Sequence, residues 1–255
     1  MDAAYLSSAA KMLTILEALA LARTAEPPGL TVTALAQVLD RDKSSVSRQL
    51  KPLVESGPVE RNESGLHKVG WRLFAIAARA GDQRLLLLAP PVVRRLTQVL
   101  REGEHLSVRR GAEVLTILSE GPRSPIDSAG WVGRTVPAAC TSSGRALLLD
   151  HTPEEIRDMF ADGFVRGPGA NAPRNVDELI ERVAADRERG FVSAMGEWGD
   201  DLGAVGAPIR DARWRIVAAV NVSGPACRLG KGLANAGQQV SRAAVYLSRA
   251  AAAGF

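Results

Sequence analysis

The chain is poor in the residues on which cross-linked and reactive proteins depend. It holds two cysteines, Cys140 and Cys227, and three histidines, His67, His105 and His151. Two cysteines make no framework for a small disulfide scaffold, and the expected compartment is a reducing cytoplasm. The histidines are scattered, without the Cys, His or carboxylate spacing that zinc needs, so neither a metal nor a cofactor is expected. A Gly-x-Ser-x-Gly elbow and a Walker phosphate loop are both missing, and no catalytic residue is assigned. Cys140 stands at a possible helix start, where a thiol pKa falls, yet no His lies near it in sequence and it reads as a packing residue. Asp200-Asp201, in a Gly-rich stretch, reads as a solvated turn. The longest apolar run, Leu85 to Val93, is interrupted by Pro90 and Pro91 and is too short to cross a bilayer. No charged-then-apolar leader opens the chain, so no membrane association is expected.

What is present suits a globular protein of two domains. Apolar residues are 46% and charged residues 24% of 255. The net charge of +4 is small. Residues 1–83 hold ten Lys/Arg against nine Asp/Glu, whereas Arg41 to Arg72 hold seven against four. That local excess falls on the segment whose pattern faces nucleic acid.

Leu6, Ala9, Leu13, Leu16 and Leu19 or Ala20 recur at helical intervals and predict an amphipathic first helix. Glu26-Pro27-Pro28-Gly29 breaks it, and Leu30-Thr31-Val32 predicts one short strand. Leu35, Ala36 and Val38-Leu39 mark a second helix. Asp42 is placed to cap a third, in which Val46, Leu50, Leu53 and Val54 form the buried stripe. Lys43, Ser44, Ser45, Ser47, Arg48 and Lys51 are then left to approach bases and phosphates. Gly57-Pro58 stops this helix. Val59-Glu60-Arg61 and Leu66-His67-Lys68-Val69 flank the polar loop Asn62-Glu63-Ser64-Gly65, a hairpin whose Arg61, His67 and Lys68 are candidates for backbone or minor-groove contact. A helix pair followed by this hairpin predicts a winged helix-turn-helix over 1–70, reading double-stranded DNA. The competing assignment is a module of the same shape that binds protein.

Trp71 to Ala80 predicts a linker helix, assigned to 71–84, and 85–255 makes the second domain. There Leu85–Arg101 is a helix, His105–Arg109 and Val114–Leu118 are strands, and helices follow at 142–150, 153–160 and 175–189. Strands 204–209 and 216–223 precede a final helix, 231–252. Mixed in this order, they predict an α+β sandwich of one sheet with helices. Alternation along the last strand puts Val217, Ala219, Asn221 and Ser223 on one face and Ile216, Ala218, Val220 and Val222 on the other. Asn221 and Ser223 either close an apolar pocket or approach solvent at the sheet edge. Small residues at 140–146 either present free backbone amides to a carboxylate or form an ordinary cap through Thr141 or Ser142.

The whole resembles an IclR-family transcriptional regulator. In the first half the resemblance rests on LTVTALAQVL, DKSSVSRQLKPLVESGPVER and the wing ending at Gly70. In the second it rests on VGRTVPAACTSSGRALL, ERGFVSAMGEW, GAVGAPIRD and AAVNVSGPACRL. It implies a winged-helix domain, a linker helix that helps dimerise it, and a GAF-related α/β domain that binds a small organic effector. Such regulators work as homodimers or homotetramers on palindromic operators, as repressors or less often activators, and are not enzymes. For members that bind small carboxylates, the resemblance implies that the Ser142 and Ser143 amides hold the ligand. Their Cys position matches Ala204, their acidic position matches Ala194, and their Ser pair matches Asn221 and Ser223. A pocket without that acid and thiol implies an effector larger and less polar than glyoxylate, with Met195, Glu197, Trp198 and Trp131 as further wall. The remaining alternative keeps the winged helix but gives the second domain only an assembly role.

Overall fold

In the computed structural model the described residues are 7–22, 29–77, 84–121 and 131–252. They divide into two units, Met1–Gln83 and Arg84–Phe255. The first unit begins with α1 (Ser8–Leu21), α2 (Val32–Val38) and α3 (Lys43–Glu55), continues through β1 (Val59–Arg61) and β2 (His67–Val69), and ends with α4 (Trp71–Ala77). Each of the first three helices starts on a side-chain cap: Ser7 Oγ accepts from the Ala10 amide, Thr31 Oγ1 from Ala34 and Asp42 Oδ2 from Ser45. Asp40, in the α2–α3 turn, takes φ +49°, a left-handed conformation that Asp tolerates better than bulkier residues. Arg41 then tethers the turn to α1 by donating to Lys11 O at 3.2 Å. The α3 helix ends where Gly57, at φ +90°, donates to Leu53 O.

Ile15, Leu19, Leu35, Val46, Leu50 and Val59 are buried together as the core of this unit. Two expectations are corrected. Leu30 to Val32 is not a strand: Leu30 makes a single bridge to His67, and Thr31 is already the cap of α2. The buried stripe of α1 runs through Ile15, Ala18 and Leu19, while Leu13 is 58% exposed. A helix this rich in Ala and Leu offers several stripes, and α3 with β2 selects one. Leu6 lies outside the described residues, as do residues 78–83 of the expected linker helix, which is seen over Trp71–Ala77.

The second unit is one antiparallel six-stranded sheet between two layers of helices. Its order is β5-β4-β3-β8-β7-β6, with β3 Gly103–Arg110, β4 Glu113–Glu120, β5 Thr135–Pro137, β6 Val192–Met195, β7 Leu202–Arg210 and β8 Ile216–Pro225. Helices α5 (Arg84–Leu100) and α10 (Leu233–Ala252) cover the face carrying Leu106, Val205, Ile209, Val220 and Val222. Between β8 and α10 lies the short α9 (Ala226–Lys231). The opposite face is covered by α6 (Ser142–Leu148), α7 (Pro153–Met159) and α8 (Val176–Arg189). The sequence pattern missed β5, β6 and α9, each of six residues or fewer.

Two bulges set which side chains share a face. In β8 the register passes from Ile209↔Ala218 to Arg210↔Ile216. Val217 is therefore 41% exposed and Ile216 packs with the α6–α8 layer, the reverse of simple alternation for those two residues. Beyond the bulge the alternation holds. In β4 the pairing jumps from Leu106↔Leu118 to Ser107↔Thr116, so Ser119 and Thr116, three residues apart, each oppose a residue on the same face of β3.

Glu104 points the other way, is fully buried and has no hydrogen-bond partner for either carboxyl oxygen. Burial, and then the charge of Glu102, holds its carboxyl well above the usual carboxylate range. Glu102 itself is engaged by Arg228 at 2.6 and 2.9 Å. A carboxyl whose folded pKa is raised binds its proton more tightly in the folded state. The stability it contributes is therefore complete below the ordinary value of about 4.3 and is lost as pH rises toward the raised value. Thermal unfolding of Glu104→Met should show the variant more stable than wild type at pH 8, with the gap shrinking toward pH 5. A gap independent of pH would contradict a carboxyl held neutral.

Candidate functional site: an uncharged cavity and a DNA-reading helix

Between α6 and the sheet, on the face opposite Glu104, lies a cavity of about 70 Å³. Close approach of backbone makes it: a Cβ on Gly206 of β7 would lie 2.8 Å from Ser142 O, so only glycine lets α6 settle on the strand. Eight of the ten residues expected around an effector stand in the wall. Ser142 and Ser143 come from the start of α6, Asn221 and Ser223 from β8, Ala194 and Ala204 from β6 and β7, and Trp131 and Trp198 from loops.

Met195 and Glu197 are corrected. Met195 packs with the core on the α5/α10 face. Glu197 is 3% exposed and turned into an ion-pair cluster behind the wall. Arg145, one turn into α6, is 1% exposed and binds Asp186 Oδ2 at 2.7 Å and the Glu197 carboxylate at 2.5 and 2.6 Å. It also donates to Ser193 O. Arg182 reaches Glu197 at 2.9 Å and Arg189 reaches Asp186 at 2.6 Å. The charges behind the wall are thus paired in a network that joins α6, α8 and the end of β6, while the Arg134 guanidinium lies over the Trp131 ring at 5.6 Å.

Sequence reasoning also missed His105, Ser107 and Thr116, which line the cavity from β3 and β4. The signal was available, since His105 and Ser107 alternate with apolar Leu106 in a predicted strand. Cys140 and Thr141 line it too. Burial, and then the Glu197 charge, push the Cys140 thiol up to about 11, so it stays protonated and is no nucleophile. Among the described residues the wall contains no Asp, Glu, Lys or Arg. Its polar groups are hydroxyls, an amide and one imidazole. Ser143 Oγ donates to Asn221 Oδ1 at 2.8 Å, while Ser142 Oγ is buried without a partner among the described residues. Burial draws the His105 ring down to about 4, and the ring meets Trp131 edge-on at 5.8 Å.

In the first unit Lys43, Ser44, Ser47, Arg48 and Lys51 of α3 are exposed, as are Arg61 and Lys68 of the wing. A groove passes between Ser47, Arg48 and Lys51 on one side and Arg61 on the other. Ser45 is half-buried, its amide given to Asp42, and Ser44 Oγ donates to the same carboxylate. Lys68 lies 3.3 Å from Glu60 across the hairpin. His67 is corrected. It is 5% exposed, its backbone pairs with Leu30 in both directions, and it lines the groove as a buried residue, whereas Arg61 and Lys68 are the exposed basic side chains of the wing.

A capped helix-turn-helix with a charged wing, joined in one chain to a sheet domain with a cavity of neutral lining, defines a DNA-binding regulator. The helix-turn-helix description of the IclR family matches residues 8–63, and its description as the C-terminal part of bacterial IclR transcriptional regulators matches residues 78–249. The chain belongs to the IclR family, whose members are transcriptional regulators and not enzymes. It is 28% identical over 214 residues to the regulator BhcR of Paracoccus denitrificans, covering 79% of this chain and 73% of that one. It is 25% identical over 201 residues to the repressor AllR of Escherichia coli, covering 78% and 74%. Its fold is similar to a Microbacterium hydrocarbonoxydans IclR homologue solved with 4-hydroxybenzoate, at TM-score 0.69, 22% identity and coverage of 94% and 98%. Among the described residues no helix is long and apolar enough to cross a membrane.

Removing one partner from the buried cluster leaves charges without compensation. Arg145→Met should cost about 3–5 kcal/mol in denaturant unfolding, whereas replacing Arg145, Asp186 and Glu197 together by apolar residues should recover much of that. Equal losses in both would mean the cluster acts through something other than charge pairing.

Proposed function

We propose that the chain is a cytoplasmic repressor that binds a palindromic operator as a homodimer or homotetramer, and that occupation of the uncharged cavity by an effector changes its affinity for DNA. The name of the relative AllR supports the direction of control. Helix α3 enters the major groove, with Ser47 and Arg48 aimed at base edges and Lys43 and Lys51 at phosphates. Arg61 and Lys68 carry the wing's backbone contacts. Seven basic against four acidic residues between 41 and 72 make a weak field for one copy, which supports paired copies on DNA. In gel-shift titrations Arg48→Ala should lose about 1–3 kcal/mol of specific binding, while Lys68→Ala should weaken all sequences alike and lower the salt slope by about one. Unchanged binding in both variants would remove α3 from the interface.

The effector we propose is a partly apolar, aromatic acid larger than glyoxylate. The observation that carries this is the cavity wall: two tryptophans, alanines at 194 and 204, and, among the described residues, no ionised side chain. An acid group is received by the buried, unpartnered Ser142 hydroxyl and the neighbouring Asn221 amide, while the ring lies against apolar surface. The 4-hydroxybenzoate held by the Microbacterium relative is the natural first probe. At one hundred times its Kd it should stabilise the protein by about 2.7 kcal/mol in a thermal-shift assay and alter operator binding. Tight binding of glyoxylate, with none of the benzoate, would overturn the size and polarity assigned here. If no acid of either class shifts stability or DNA binding, the second unit serves assembly alone.

A further inference from the structure

His105 differs from the rest of the cavity wall in having both ring nitrogens engaged. Nε2 lies 3.0 Å from Ser223 Oγ, and Nδ1 lies 3.0 Å from Ser119 Oγ. Ser223 faces the cavity, whereas Ser119 stands behind the ring and is not part of the wall. Direct cross-strand pairing of His105 with Ser119 holds this contact, and the β4 bulge keeps Thr116 on the same face.

A neutral imidazole has one N–H and one lone pair in its plane, so the two serines must play opposite parts. If Nε2–H donates to Ser223, Ser119 donates to Nδ1 and the Ser223 proton is free to enter the cavity. If Nδ1–H donates to Ser119, Ser223 donates to Nε2 and its lone pairs face the cavity. Moving one ring proton exchanges the two states without moving a heavy atom.

We propose that His105 is a positioning residue whose tautomer sets whether Ser223 offers the effector a hydrogen-bond donor or an acceptor, so that this end of the cavity takes an uncharged hydroxyl, ether or carbonyl group. The proposal rests on the effector-binding reading above and adds the chemistry of the effector's second polar end. Alternation along β8 places Ser223 two residues beyond Asn221, about 6.6 Å along the strand, so one ring bearing polar groups at opposite ends spans the pair. The ring stays neutral because it is 8% exposed and because, among the described residues, no acidic or basic side chain lines the cavity. Its sequence neighbour Glu104 points to the opposite face of the sheet.

With three histidines in the chain, ¹⁵N spectra of histidine-labelled full-length protein resolve each ring. From pH 6 to 8 His105 should give neutral-imidazole signals. Ser119→Ala removes the partner of Nδ1, and an unpaired buried lone pair is tolerated better than an unpaired N–H, so the Nε2–H tautomer should dominate. Ser223→Ala should drive the ring to the Nδ1–H tautomer, and Ser119→Thr should restore the wild-type pattern. The same tautomer in both alanine variants, or an imidazolium signal for His105 in this range, overturns the proposal. The matching binding test compares 4-aminobenzoate, a donor at its far end, with 4-methoxybenzoate, an acceptor. Ser119→Ala leaves Ser223 as donor and should shift the affinity ratio toward the methoxy compound about fivefold. An unchanged ratio overturns the role in specificity. If neither compound binds wild type or variant, the aromatic-acid effector fails while the tautomer measurement still decides His105.

Discussion

The second unit depends on one buried cation. Arg145 is excluded from water, and a guanidinium in that position is tolerable only if carboxylates meet it with good geometry. Asp186 of α8 and Glu197 beyond β6 do so, while Arg189 takes the second oxygen of Asp186 and Arg182 shares Glu197 Oε1 with Arg145. This requirement holds α6 at a defined height over β7, with Ser142 against Gly206. It also fixes the chain at Glu197, so that Trp198 turns into the cavity wall. The site is thus shaped by charges that never enter it.

Because those charges are spent on one another, the cavity is polar without being ionic. A ligand entering it exchanges water for hydroxyls, an amide and a neutral ring, so an acid group held there relies on hydrogen bonds from neutral groups and not on a counter-charge. Discrimination there rests on matching donors to acceptors, where a mismatch leaves a buried group unpaired. The tryptophans and the alanines at 194 and 204 add apolar area without adding such a demand. This division of labour suits a sensor, which must hold its effector reversibly.

Local signals in the sequence carried much of the fold. Asp42 and Gly57 bound α3 as their chemistry requires, and the spacing of Val46, Leu50 and Leu53 set its buried face. Placements that depend on a distant partner were less legible. Leu13 and Ile15 are equally plausible core residues until α3 is in place. Glu197 reads as pocket wall because nothing near it in sequence announces Arg145, and Met195 reads likewise until its strand is paired with β7. His67 has the look of a wing contact, and only the bridge to Leu30 shows why it is covered. Bulges are a further limit. One extra residue reverses alternation at Ile216 and Val217, and no composition signal marks it. His105 was the avoidable omission, since the alternation of its strand already placed it beside Ser107.

The Leu30–His67 bridge has a mechanical consequence. His67 is paired with Arg61 on one side and with Leu30 on the other, so the wing is clamped along both edges of β2. Leu30 leads directly into the cap of α2, and α2 packs on α3. A push on the wing from the DNA backbone is therefore passed to the reading helix instead of being absorbed by hairpin flexing. In the proposed dimer each copy then meets the duplex as a stiff caliper jaw, and adaptation to operators of different spacing comes from outside the jaw, in the connection between jaws.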